Sequence, residues 1–200
     1  GSGVVTTETS AIPTDLDWDA AGDGIAISFV TFSSAANTEL KVTTAAESPD
    51  AGIVVIDDTD NTDDVTMLVG KIEVEGTSDV VVDQLPVTLT TVGGANVAAV
   101  TGSISLKIDG KTFTESVTTS GATVGTTTFD NLDLSLEAGK TYTFTVYADI
   151  NDIDSGNLDE GDTLTVSLTS TNRDYMDVEN EEGDQLDDSS EKSGTSIGEE

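Results

Sequence analysis

KTYTFTVYAD, residues 140–149, sets Tyr142, Phe144, Val146 and Ala148 against Thr141, Thr143, Thr145 and Tyr147. An apolar face opposite a threonine face at a period of two is the pattern of a half-buried strand. Leu164, Val166 and Leu168 repeat it within 162–170. Working outward, alternation predicts further strands at 25–32, 39–44, 52–56, 65–75, 79–91, 103–108, 111–117 and 127–136. Asp109-Gly110 between two such runs is a two-residue hairpin signal, and Glu137-Ala138-Gly139-Lys140 marks another turn. The expected fold is an all-β, antiparallel sandwich of immunoglobulin-like type, with flanking strands from an adjacent repeat. Its core is expected to draw on Phe129, Leu132, Leu134, Tyr142, Phe144, Val146, Leu164, Val166 and Leu168.

Composition agrees. Thr (32), Val (21) and Ile (11) together make 64 of the 200 residues, and β-branched side chains suit a pleated sheet. Acidic residues number 39 against 7 Lys and Arg, a formal net charge of −32. With no His and no Cys, zinc-finger, thiol-redox, Cys-nucleophile and Ser-His-Asp chemistry is excluded. Nucleic acid and anionic lipid are poor partners for such a polyanion. No apolar run approaches the roughly 20 residues of a membrane span. The surplus of acid also suits a salty or calcium-rich setting, where repulsion is screened.

Residues 65–172 read as one sandwich domain, preceded by linker strands and an acidic loop at 39–64. Sliding the C-terminal segment by 161 positions sets Asn180 on Asp19, Gly183 on Gly22, Asp184 on Asp23 and Leu186 on Ile25. On this alignment 1–38 is the end of a preceding repeat, or flanking strands, and 173–200 starts the corresponding region of the next. Residues 177–200 carry ten acidic groups with only Val178, Leu186 and Ile197 as sizeable apolar anchors. That composition predicts disorder unless cations, a neighbouring chain or packing on 1–38 orders it. Deleting 173–200 is accordingly expected to impair association more than folding.

The run AAESPDAGIVVIDDT…VTMLVGKIEVEGTSDVVVDQLPVTL, followed by FDNLDLSLEAGKTYTFTVYADI, resembles repeat domains of large secreted bacterial surface proteins, surface-layer-like and adhesin-like. The matching elements are the turn at Pro49 to Gly52, the strand at Ser78 to Leu85 and the closing strand at Ala138 to Ile150, within about residues 45–170. The resemblance implies an extracellular, non-catalytic, calcium-tolerant sandwich at the cell surface.

Three acidic clusters are candidate Ca²⁺ sites, because Ca²⁺ takes 6–8 oxygen ligands in irregular geometry. The first holds Asp149, Asn151, Asp152, Asp154, Asn157, Asp159, Glu160 and Asp162, with Gly156 and Gly161 permitting sharp turns. It lacks the EF-hand spacing, and the competing reading is a solvated loop held by Asx hydrogen bonds. The second, Asp57, Asp58, Asp60, Asn61, Asp63 and Asp64, reads equally as a hydrophilic hairpin loop. The third is Asp15, Asp17, Asp19 and Asp23, whose counterpart under the 161 offset is Asp177, Glu179, Glu181, Glu182 and Asp184. Carboxylate pairs are unavoidable among 39 acids, and aromatic residues are only 4%, so a glycosidase cleft is not expected. Trp18 reads as a loop anchor before a sugar platform.

The sequence therefore points to a non-catalytic structural or adhesive module of a calcium-stabilised cell-surface array, its partners copies of itself or neighbouring repeats. The alternatives are a filament subunit assembled by strand addition and a carbohydrate-binding module for cell-surface polysaccharide.

Overall fold

The computed structural model describes residues 38–119, 121–153, 158–187 and 190–198, which form a two-layered β-sandwich. Its strands are β1 (Glu39–Thr44), β2 (Thr62–Glu75), β3 (Val80–Val92), β4 (Thr101–Ile108), β5 (Lys111–Ser116), β6 (Val124–Phe129), β7 (Leu134–Leu136), β8 (Thr141–Ile150), β9 (Thr163–Ser167), β10 (Asp177–Asn180) and β11 (Lys192–Gly194). Two short helices, α1 (Val97–Val100) and α2 (Ser170–Asp174), interrupt them.

One sheet runs β11-β1-β2-β8-β4-β5. In the other, β3 is the spine, with β9 and β10 along one side and β6 and β7 along the other. The strand pairs are antiparallel except β1 with β11, which is parallel. The expected all-β sandwich is thus the observed fold.

Alternation places the core as expected. Phe129, Leu132, Leu134, Phe144, Val146, Val166 and Leu168 are buried, while Tyr142 and Leu164 pack half-buried against them. Tyr142 keeps its hydroxyl at the rim, where it accepts the Glu137 amide at 2.9 Å. The Asp109-Gly110 hairpin forms with both residues at positive φ, 48° and 73°, as a two-residue turn of the primed type requires. In β2, Gly70 faces Phe144, and a Cβ at Gly70 would overlap the ring.

Three expected strands differ, and a fourth, 25–32, lies outside the described residues. Residues 127–136 split into β6 and β7, because Asn131 and Asp133 take left-handed φ values of 51° and 43° and jog the chain. Leu132 between them stays buried and donates its amide to the Asp83 carbonyl at 3.1 Å. The 162–170 strand stops at Ser167, where Thr169 and Asn172 form a capping box that starts α2. Residues 52–56 pair with nothing among the described residues, leaving Ile53 97% and Val55 87% exposed.

The sandwich also reaches beyond 65–172. β1 lies before that span, and β10 and β11 beyond it. Val178, Leu186 and Ile197, the three apolar anchors of the acidic segment, are all buried in the common core. Lys192, 4% exposed, donates to the main-chain carbonyls of Asp174 at 2.7 Å and Met176 at 3.1 Å. Asp174 is the last residue of α2 and Met176 lies just past its cap, so the ammonium satisfies main-chain acceptors where the helix ends. Packing on the sandwich itself therefore orders the described part of 177–200, in place of the expected disorder. No described helix is long and apolar enough to cross a membrane.

Candidate functional site

The 149–162 cluster begins on β8 and ends where β9 starts. Asp149 sits half-buried on β8 between β2 and β4. Its Oδ1 accepts the Asp64 amide at 3.0 Å and its Oδ2 accepts the Ser103 hydroxyl at 2.8 Å. Asp64 has φ 56°, and the β2–β8 register shifts between Thr62 and Val65. A bulge leaves ladder groups unpaired, and the Asp149 carboxylate takes up the freed amide.

Asn151 turns its amide to α1, donating Nδ2 to the carbonyls of Ala98 at 3.3 Å and Ala99 at 2.9 Å. It thereby satisfies carbonyls that a helix end leaves without partners. The Asp152 main-chain amide donates to Asn61 Oδ1 at 3.3 Å, linking this loop to the second cluster. Asp162 accepts the Gly94 amide on Oδ1 at 2.8 Å and the Asp159 amide on Oδ2 at 3.0 Å. Those bonds, the Asp159 amide foremost, hold its carboxyl below the usual carboxylate range. Asp159 and Glu160 are exposed, while Asp154 and Asn157 lie outside the described residues.

In the second cluster Asp57 Oδ1 accepts the Thr59 amide at 2.9 Å, the Thr59 hydroxyl at 3.0 Å and the Asp60 amide at 3.3 Å. The Thr59 amide is the main reason its carboxyl is held low. This is an Asx turn, the hydrophilic-loop reading. Asp58 and Asp60 flank it in solvent. Asp15, Asp17, Asp19 and Asp23 lie outside the described residues. In their proposed counterpart, Asn180 Oδ1 accepts the amides of Glu182 at 2.9 Å and Asp184 at 3.0 Å. Glu181 and Glu182 are exposed at the turn so formed.

Among the described residues no three acidic side chains converge to hold a metal ion. Asp149 and Asp162 each accept a hydrogen bond from the protein on both carboxylate oxygens. What the structure brings together is a set of one-carboxylate clamps. Sequence spacing found Asp149, Asp162 and Asp57 but missed their partners Ser103, Gly94 and Thr59. The first two partners lie on other strands or turns, far along the chain. Compared with known proteins, the chain matches no protein-family model and no curated sequence.

Proposed function

We propose that the chain is a non-catalytic, load-bearing module of an extracellular cell-surface array, an immunoglobulin-like repeat joined to neighbouring repeats or copies of itself. The observation that carries this reading is the parallel pairing of β1 with β11, Leu40 to Lys192 and Val42 to Gly194. β1 is the first and β11 the last of the described strands. Because the two strands run the same way, tension along the chain pulls them past each other lengthwise. Shear loads the inter-strand bonds together, among them Leu40 N–H to Glu191 O at 2.7 Å and Thr195 N–H to Val42 O at 2.9 Å. Peeling a strand breaks such bonds one after another at lower force.

Calcium belongs to the proposal on charge grounds. A chain of net charge −32 repels itself and its neighbours, and divalent cations relieve that repulsion. The test is single-molecule pulling. Force applied through residues 38 and 198 is expected to unfold the sandwich at least about twice as high as force applied through residues 110 and 198. Equal forces in the two geometries would sink the load-bearing reading.

A second reading, a filament subunit built by strand addition, draws support from residues 52–56. This apolar segment has no main-chain hydrogen-bond partner among the described residues, with Ile53 and Val55 exposed and Ile56 packed on the core, and such a segment can add to a neighbour's sheet edge. Electron microscopy of the concentrated protein separates the two, through filaments that vanish on Val55→Asp.

A further inference from the structure

Pro86 stands in the middle of β3, where a strand residue without an amide hydrogen is out of place. The adjoining strand is interrupted opposite it. β9 pairs down to Thr88, β10 takes up the pairing at Gln84, and α2 is spliced between them. Asn172 anchors that helix to the outer face of the sheet through Thr88, its Nδ2 lying 3.1 Å from Thr88 Oγ1. On the other flank β6 sets Thr126 opposite Thr88 and Thr128 opposite Pro86. The result is a groove of about 380 Å³ between α2 and β6, floored by Pro86 and walled by Gln84, Thr126, Thr128, Thr171 and Tyr175. That volume is at the small end for ligand sites, roughly 300–1,000 Å³.

Two properties set the groove apart. None of its lining residues is charged, although 39 of the chain's 200 residues are acidic. Tyr175, fixed by its main-chain amide on the carbonyls of Thr171 and Asn172 at 3.2 Å, leaves its side chain in solvent, the residue being 74% exposed. Tyrosine joins an apolar ring to a polar tip, a combination enriched at interfaces. The side chains of Gln84, Thr126, Thr128 and Thr171 make no hydrogen bond within the described protein, so their amide and hydroxyl groups are open to a ligand.

The geometry points to this groove as a binding site for a neutral glycan chain, with Tyr175 stacking on the C–H face of a sugar ring beside the buried Pro86. The threonine hydroxyls and the Gln84 amide exchange hydrogen bonds with the ring hydroxyls. An anionic ligand is disfavoured by the field of the whole molecule, and an apolar one would strand those polar groups. The assignment goes beyond the load-bearing role and does not depend on it.

The test titrates the ¹⁵N-labelled chain with neutral hexasaccharides of glucose, mannose and N-acetylglucosamine, one at a time, and with polygalacturonate as the anionic comparison. At least one neutral hexasaccharide is expected to give saturable amide shifts confined to residues 84–88, 126–128 and 171–175. Tyr175→Ala weakens that binding about tenfold or more, whereas Tyr175→Phe stays within about threefold. Unchanged melting temperatures show that both variants are folded, as expected for so exposed a side chain. The assignment is overturned if no neutral sugar shifts these amides, if Y175A binds as wild type does, or if polygalacturonate occupies the groove.

Discussion

Asp162 Oδ1 accepts the Gly94 amide hydrogen at 2.8 Å, joining positions 68 apart in the chain. The contact sits where β3 leaves its sheet and β9 enters it, at the Val92–Thr163 pair. Gly93 beside it has φ +126°, and a Cβ there would collide with the carboxylate. The glycine turn and the aspartate are thus one device, a loop clamp whose acceptor must be ionised to be strongest.

That device sets a pH dependence. The Asp162 carboxyl is held below its unfolded value by the Asp159 and Gly94 amides, and Asp57 is held low by Thr59. A depressed folded pKa gives stability that is complete above the unfolded value, about 3.9, and lost as pH falls through the folded one. The charge of the whole chain works the other way, because −32 at pH 7 falls toward zero near the pI of 4.1. Urea midpoints are expected to rise from pH 7 to about pH 4.5 as repulsion fades, then to drop. Asp162→Asn, which cannot ionise, lowers the neutral-pH midpoint and flattens the acid limb. A variant profile parallel to wild type would remove the clamp from the account.

The Asp149 carboxylate offers a second test. It holds the β2 bulge through Asp64 and holds β4 through Ser103. Hydrogen bonds to a charged group contribute about 1.5–3 kcal/mol, and their loss leaves both donors unpaired. Asp149→Ala is expected to cost about 3 kcal/mol by chemical denaturation. Asp149→Asn, with one acceptor left, costs about half as much. An alanine variant within about 0.5 kcal/mol of wild type would show that the bulge stands without its clamp.

Period-two patterning made the sheets legible. Val146 and Phe144 had to face inward wherever their strand went, and β1 could be read residue for residue at 39–44. Residues 52–56 mislead because β-branched composition marks a segment as able to pair, while pairing needs a neighbouring edge. The 162–170 run hides a helix start because Thr169 is both a good strand residue and a good cap. In the acidic loops, spacing identified which carboxylates have work to do but not with what. Ser103 lies 46 positions from Asp149, and a carboxylate that accepts from a distant strand reads in sequence like one that binds an ion.

The ion question follows from that ambiguity. Asp149 serves the bulge, so replacing it tests the clamp; Asp152→Asn with Asp159→Asn tests the ion. Millimolar Ca²⁺ is expected to raise the melting temperature by about 5–10 °C, the effect of about 2.7 kcal/mol at a hundredfold excess over Kd. Mg²⁺ does less, because it gives up its water reluctantly, and NaCl at matched ionic strength does not reproduce the shift. The double variant loses most of it. Equal shifts with Ca²⁺ and Mg²⁺, unchanged in the variant, would reduce calcium to diffuse screening.

Ile197 decides how the acidic tail contributes. It is 1% exposed and exchanges both main-chain hydrogen bonds with Leu168, donating at 3.0 Å and accepting at 2.9 Å. Its side chain also lies against Gly70, beside the Phe144 ring. It therefore links β2 of one sheet to Leu168, the residue that follows β9 of the other. Truncating a buried isoleucine to alanine costs about 2–5 kcal/mol, so Ile197→Ala is expected to lower the stability of the whole sandwich by about 3 kcal/mol in one cooperative transition. Deleting 173–200 also removes Val178, Leu186 and the Lys192 bonds to Asp174 and Met176. The truncated chain is then expected to lose cooperative folding, and not association alone. Calorimetry beside sedimentation distinguishes the two: a truncated chain that melts like wild type yet fails to assemble would return the tail to the role its composition suggests.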